Sequence, residues 1–167
     1  MTRLTLSLPM AQKFRAGLKT QTRRVSPPRF AVGDTVGVIE THRIAYGAPT
    51  MTEVICGERS DRLHLTYRVD RVVIANTDPV EITRLRDTLT VQKHQWRPPM
   101  FLPDWAVRTK IRITEIREER LGDITEADAV REGFADRAAF LAYFGTLHKG
   151  PIDLTLPVWA ISFEVVT

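Results

Sequence analysis

Short segments in which apolar and polar residues alternate recur along this chain, and they constrain its fold more than any other feature. Successive side chains point to opposite faces of a β-strand, so such alternation predicts half-buried strands. The predicted strands cover residues 5–8, 20–24, 36–39, 63–69, 111–113 and 158–165. The 63–69 strand is expected to continue through 72–74 after a bulge. In the last strand, Trp159, Ile161, Phe163 and Val165 form the predicted core face.

Three helical segments complete the pattern, at Pro9–Ala16, Glu126–Glu132 and Arg137–Leu147. Thr125 and Asp128 have the spacing of a capping box, and Asp136 is placed as an N-cap. In the last helix, a core-facing stripe is predicted from Phe140, Leu141, Phe144 and Leu147. Many short strands with few helices predict an α+β fold, built on a small, partly open β-barrel with flanking short helices.

Composition limits the kinds of protein this chain can be. Its 167 residues, 43% of them hydrophobic, suit one core and a single domain. A net charge of +4 and a pI near 9.6 favour partners that carry phosphate. A single cysteine, Cys56, excludes an internal disulfide, and we expect it to be buried in a cytoplasmic protein. Because no apolar run approaches about 18 residues, neither a membrane span nor a membrane partner is expected.

The segment from Gly17 to Arg24 concentrates reactive groups, with one amine, two hydroxyls and two guanidiniums after a glycine. Alternation places Thr20, Thr22 and Arg24 on one face of a strand. Lys19 can meet Thr22 only if it lies in a turn before the strand. Taken alone, such a segment is more often a solvated basic edge strand than a site.

Glu132 is the second residue with chemical interest. It is predicted in the last turn of a helix that Gly133 ends, where the helix dipole disfavours negative charge. The alternative is a surface glutamate paired with Arg131 or Arg137.

Three segments together resemble a known family. The Gly-x-Lys-Thr-x-Thr-x-Arg run at 17–24, the Phe30–Val36 segment and the Val158–Glu164 segment are similar to the ASCH-domain family of the PUA-like superfamily. Within that family, the chain resembles the small amidohydrolases that deacetylate N(4)-acetylcytidine, and longer phage-associated ASCH proteins. The resemblance implies a single PUA-like domain over residues 1–167, with an insert at about 76–107.

The resemblance also implies an activity. It predicts an amide hydrolase acting on N(4)-acetylcytidine or related acylated pyrimidine nucleosides, with Lys19, Thr22 and Glu132 as the catalytic groups. Substrate-binding roles fall to Arg24, Thr20 and Arg23. Lys19 must be neutral to act as a base, and nearby guanidiniums and partial burial lower its pKa, whereas Glu132 raises it. Either Thr22 or a water molecule is the nucleophile.

No cofactor and no metal are expected, because the four histidines lack the spacing of metal ligands. The partner is then a nucleoside or an RNA-derived small molecule, and nothing in the sequence indicates an oligomeric state. The alternative function is a non-catalytic PUA-like RNA-binding module, in a phage-associated role or otherwise, since PUA-like barrels commonly bind RNA.

The predicted insert contains a proline-rich segment with two tryptophans. Trp96, Arg97 and Trp105 are expected to stack on the substrate's base. The alternative is that the tryptophans plug one end of the barrel.

Overall fold

A computed structural model describes residues 2–47, 62–68, 73–76, 78, 80, 96–148 and 151–166. The chain forms two compact units. The first combines Met1–Val38 with Val107–Thr167, and the second is Ile39–Ala106. The second unit begins well before the insert predicted at about 76–107, and the assignment of one domain with an insert stays a prediction. Cys56 lies outside the described residues.

The described elements are eight strands and three α-helices. The strands are β1 (Arg3–Thr5), β2 (Gln21–Arg24), β3 (Thr35–Ile39), β4 (His42–Gly47), β5 (Arg62–Tyr67), β6 (Val73–Asn76), β7 (Lys110–Arg120) and β8 (Pro157–Val166). The helices are α1 (Leu8–Arg15), α2 (Glu126–Arg131) and α3 (Arg137–Leu147). This confirms the α+β class. No helix in the described part of the chain is long and apolar enough to cross a membrane.

The first unit is organised by an open five-stranded sheet in the order β1-β3-β7-β8-β2. Strands β3, β7, β8 and β2 are antiparallel where they pair. The two edge strands are not paired with each other, but the Arg24 guanidinium on β2 donates a hydrogen bond to the Thr5 carbonyl on β1. The sheet therefore curls until its edges approach, which fits a partly open barrel.

Local sequence signals set the helix ends near the site. Helix α1 stops before Gly17, which has a φ of +73° that glycine adopts without strain. Thr125 and Asp128 form the predicted capping box at the start of α2. Asp136 caps α3 by accepting a hydrogen bond from the Ala139 N–H. These ends position the segments that precede β2 and follow α2.

The core of the first unit differs from the prediction at three positions. Phe140 and Phe144 are buried, but Leu147 is 57% exposed, because it belongs to the last turn of α3 and lies beyond the core cluster. On β8, Val165 is 58% exposed and Trp159 is only half-buried. Strand β8 lies between β7 and β2, and residues on both of its faces are buried, so alternation alone did not identify the core.

The second unit contains a three-stranded antiparallel sheet in the order β4-β5-β6. The expected continuation of the 63–69 strand through a bulge is wrong, because β6 turns back and pairs with β5, with Thr66 opposite Val73. Periodicity does not distinguish a bulged strand from a hairpin when both segments are apolar. His42 begins β4 and is fully buried, and burial lowers its pKa to about 4.

Candidate functional site

Lys19 and Glu132 form a buried ion pair in the first unit. Lys19 lies in the connection between Gly17 and β2, before the strand begins. The sequence analysis predicted this position as the condition for Lys19 to meet Thr22. Its Nζ contacts Glu132 Oε2 and lies 3.3 Å from the Glu132 carbonyl oxygen. The two side chains are only 1% and 3% exposed. The expected closeness of this amine and this carboxylate is confirmed.

The backbone around Thr20 fixes this arrangement. The Thr20 N–H donates to the Arg131 carbonyl at 2.8 Å, and the Thr20 carbonyl accepts from the Phe163 N–H at 3.0 Å. One residue therefore connects the end of α2 to the start of β2 and to β8. Its side chain is exposed, so its evident contribution is to hold the turn rather than to line a buried site.

Gly133 keeps the Glu132 end of α2 compact. It has a φ of +86°, and a Cβ on this residue would approach the Lys13 side chain to 2.9 Å. Glu132 is the C-cap residue, so its side chain leaves the helix just before the chain turns.

Arg23 binds the other oxygen of Glu132. Its guanidinium is buried, and Nη1 lies 3.4 Å from Glu132 Oε1 and 2.9 Å from Gln21 Oε1. Nε donates to Glu119 Oε1 at 2.7 Å, and Nη2 lies 3.2 Å from Asp128 Oδ2. Glu132 is thus held between two cations, one on each carboxylate oxygen.

We refer to Lys19, Arg23, Glu119, Asp128 and Glu132 as the buried ion cluster. Towards solvent it continues to Arg117, whose Nη2 lies 2.8 Å from Glu119 Oε2 and 3.5 Å from Asp128 Oδ2. Three carboxylates against two cations leave the cluster with one excess negative charge before Arg117 is counted. With the positive charge of Arg117 included, the net charge of the cluster is zero.

Burial is the largest influence on the Lys19 amine, and it lowers the pKa of that group. The Glu132 carboxylate opposes this effect, while the charges of Arg24 and Lys13 add to it. The net direction is downward, which settles for this pKa a balance that the sequence left open. A lowered pKa increases the fraction of neutral amine at moderate pH. A general base needs the neutral amine, because only that form can accept a proton.

Thr22 and Arg24 lie on the other face of β2. Alternation separates them from Gln21 and Arg23, which contact each other. Thr22 is 5% exposed, and its hydroxyl takes part in no hydrogen bond among the described residues. Arg24 donates to the Thr5 carbonyl, so the guanidinium that touches Glu132 is that of Arg23.

The three other predicted substrate-binding residues, Trp96, Arg97 and Trp105, belong to the second unit. Arg97 exchanges backbone hydrogen bonds with His42, and its guanidinium lies over the Phe101 ring at 5.4 Å. Trp96 lies under the Arg68 guanidinium at 5.7 Å. Trp105 is half-buried in a short 3₁₀ turn. Base stacking and barrel plugging both stay predictions.

Sequence reasoning missed two acidic members of the buried ion cluster. Asp128 was assigned only a capping role, although its spacing four residues before Glu132 places both carboxylates on one helix face. Glu119 follows a run of charged residues that is typical of a solvated strand, and no local signal distinguishes it.

The described residues contain no group of three His, Cys, Asp or Glu side chains arranged to hold a metal ion. Comparison of the chain with models of protein families, with curated proteins and with solved structures finds no significant match.

Proposed function

We propose that this chain is an amide hydrolase that removes the acyl group from N(4)-acetylcytidine or a related acylated pyrimidine nucleoside. The observation that carries the proposal is the buried pair of Lys19 and Glu132. An amine and a carboxylate removed from water, in direct contact, form a unit that can exchange protons. The specific substrate rests on the resemblance of the 17–24 segment to the ASCH-domain amidohydrolases.

The reaction breaks the bond between the acetyl carbonyl carbon and the exocyclic nitrogen of cytosine. A water oxygen forms the new bond to that carbon, directly or after transfer of the acyl group to a hydroxyl. The products are acetate and cytidine, and the leaving nitrogen gains one proton. The reaction therefore needs one group that removes a proton from the nucleophile and one that delivers a proton to the nitrogen.

Lys19 and Glu132 fill these two proton-transfer roles as a coupled pair. Burial lowers the pKa of Lys19, which favours the neutral amine as the base. The resemblance to the ASCH-domain amidohydrolases makes Thr22 the hydroxyl nucleophile or the group that orients the water. Arg23 orients Glu132 by contact with its second oxygen.

The alternative, a non-catalytic RNA-binding module, gains less from this arrangement. A phosphate-binding surface is weakened by buried carboxylates, and the buried ion cluster has three of them around Arg23. The proposed amide hydrolysis, in contrast, uses the Glu132 carboxylate beside the Lys19 amine.

We also infer that the first unit has the PUA-like barrel. Its open five-stranded sheet, with edge strands that approach through Arg24 and Thr5, supports this assignment. The segments that carry the family resemblance form the β2 strand, the entry to β3 and the β8 strand.

The proposal is tested by incubating the purified chain with N(4)-acetylcytidine and following cytidine and acetate by chromatography. We expect turnover that Glu132→Gln lowers by about 10² or more and that Glu118→Gln preserves, because Glu118 is an exposed glutamate of β7. A chain that releases no cytidine from N(4)-acetylcytidine but binds single-stranded RNA would favour the alternative function.

A further inference from the structure

Glu119 binds two guanidiniums at once, one with each carboxylate oxygen. Its Oε1 accepts from Arg23 Nε at 2.7 Å and lies 2.7 Å from Arg23 Nη2. Its Oε2 accepts from Arg117 Nε at 2.9 Å and lies 2.8 Å from Arg117 Nη2. The Glu119 side chain is 9% exposed, so these contacts are largely removed from water.

We infer that Glu119 is a positioning residue of the candidate site, because it holds the Arg23 guanidinium in the place from which that guanidinium meets Glu132. Glu119 acts through Arg23 and is assigned no contact with substrate. Its effect on turnover rests on the proposed function, but its effect on the Lys19 amine does not.

The lengths of the Arg23 contacts are the first argument. Four side chains surround its guanidinium, and in order of distance they are Glu119 at 2.7 Å, Gln21 at 2.9 Å, Asp128 at 3.2 Å and Glu132 at 3.4 Å. A charge-assisted hydrogen bond is strongest when it is short. Glu119, which also contacts Arg23 through two nitrogens, therefore sets the position of the guanidinium more than Glu132 does.

A closed ring of hydrogen-bonded side chains supports Glu119. The ring joins β2, β8 and β7, and it runs through Arg23, Gln21, Ser162, Glu115, Arg117 and Glu119. Ala160 on β8 lies opposite both arginines in the sheet register, and its small side chain leaves room for the two guanidiniums to approach Glu119. Glu119 is thus held from the surface side as well as from the buried side.

This placement decides how the charge of Glu132 is shared between two cations. Glu132 raises the pKa of Lys19, while burial and the charges of Arg24 and Lys13 lower it. Of these charged groups, Glu132 is the one that contacts Arg23. While Glu119 holds Arg23 at the longer distance, Glu132 keeps Lys19 as its nearest partner.

Glu119→Gln keeps the shape of the side chain and removes its charge. The buried Arg23 guanidinium should then move towards Glu132 and neutralise more of its charge, so the pKa of Lys19 should fall. NMR titration of isotope-labelled lysine in the full chain, with the Lys19 signal assigned by its loss in Lys19→Met, measures this without any substrate. We expect the Lys19 midpoint to move down by about half a pH unit or more.

Turnover of N(4)-acetylcytidine is the second readout. We expect Glu119→Gln to lower kcat about tenfold, because Glu132 is drawn away from Lys19. KM should change less than about twofold, because Glu119 does not contact substrate. The midpoint of the pH–rate profile should move down together with the Lys19 titration. A merely structural role would reduce the amount of folded protein but would not move this midpoint.

Glu115→Gln is the matched control. Glu115 is a glutamate of the same strand and the same ring, but its hydrogen bonds are with Arg117 and Ser162. Its side chain is 47% exposed. We expect Glu115→Gln to leave kcat within about twofold and to move the Lys19 midpoint by less than about 0.2 pH unit, because exposed ion pairs are weak.

Glu119→Asp provides a second variant at the same position. It keeps the charge but retracts it by one methylene group, so its Lys19 midpoint should lie between those of the unmodified chain and Glu119→Gln. If Glu119→Gln does not fold, an unmoved midpoint in Glu119→Asp would overturn the inference.

An unchanged or raised Lys19 midpoint in folded Glu119→Gln would also overturn it, as would equal shifts in Glu119→Gln and Glu115→Gln, or full turnover by Glu119→Gln in an active chain. A lowered Lys19 midpoint in a chain that releases no cytidine would uphold the positioning of Arg23 and count against the proposed hydrolysis. The two failures are therefore distinguishable.

Discussion

Helix α2 carries two buried carboxylates one turn apart, and they differ in what holds them. Asp128 lies in the first turn and Glu132 at the C-cap, and both approach the Arg23 guanidinium, at 3.2 and 3.4 Å. Asp128 is also bound to Thr125 in the capping box. Glu132 is instead paired with Lys19.

Helix stability explains the position of Asp128, but it does not explain the position of Glu132. A negative charge at the start of a helix is favoured by the helix dipole and satisfies free N–H groups, which accounts for Asp128. A negative charge at the end of a helix is disfavoured, yet Glu132 is kept there between two cations. The proposed role in proton transfer would account for Glu132, and the following predictions test this contrast.

The largest effect is expected when the amine is removed. Lys19→Met keeps an unbranched side chain but deletes the terminal amine that acts as the base, so turnover of N(4)-acetylcytidine should fall by about 10² to 10⁴. In the unmodified chain the rate should rise with pH, with a midpoint below the ordinary lysine value of 10.5, because burial lowers the pKa of Lys19. Steady-state kinetics at several pH values measure both.

Lys110→Met is the matched control, because Lys110 is an exposed lysine on β7. Circular dichroism confirms that each variant is folded at the assay temperature. A Lys19→Met chain with more than half of the original turnover would remove Lys19 from the mechanism.

The next effect concerns stability. Lys19→Met leaves the Glu132 carboxylate buried with Arg23 alone, which should lower the free energy of unfolding by about 3 kcal/mol. Adding Glu132→Gln removes the stranded charge and should restore at least half of that loss. Urea denaturation of the single and double variants measures the coupling, and strictly additive effects would show that the two groups do not interact.

A smaller loss is expected from Asp128→Asn, which weakens the capping box and three ion pairs, with Arg23, Arg117 and Arg131. The free energy of unfolding should fall by about 1–2 kcal/mol at pH 7. Burial raises the pKa of Asp128, but its bonds to Thr125 and the charges of Arg23 and Arg117 outweigh this and hold the value below 3.8. The carboxylate's contribution is therefore present above about pH 3.8 and is lost as pH falls through the lower folded-state value.

Urea denaturation at a series of pH values checks this dependence. The difference between the unmodified chain and Asp128→Asn should shrink below pH 3.8. A difference that stays constant down to pH 2 would mean that the carboxylate charge of Asp128 contributes nothing to stability.

Local chemistry in the sequence predicted the parts of the site that depend on neighbouring residues. Thr125 and Asp128, three positions apart, specified the start of α2, and Gly133 specified its end. Gly17 follows the end of α1, and Lys19 lies in the connection before β2. These features need only the next few residues, so spacing was enough.

Features that depend on distant pairing were not predictable. Glu119 reaches Arg23 because β7 and β2 both pair with β8, across a separation of 96 residues. The return of β6 onto β5 and the burial of both faces of β8 have the same origin. Hydrophobic pattern gives the face of a strand, but not which strand it will pair with.

The most direct test compares the two carboxylates of α2 in one assay. Turnover of N(4)-acetylcytidine per folded molecule is measured for Glu132→Gln and for Asp128→Asn. We predict that Glu132→Gln lowers turnover by about 10² or more, as expected for a proton-transfer group. Asp128→Asn should change turnover by less than about fivefold. Equal turnover in the two variants would contradict it, because Glu132 would then be no more than a second structural carboxylate.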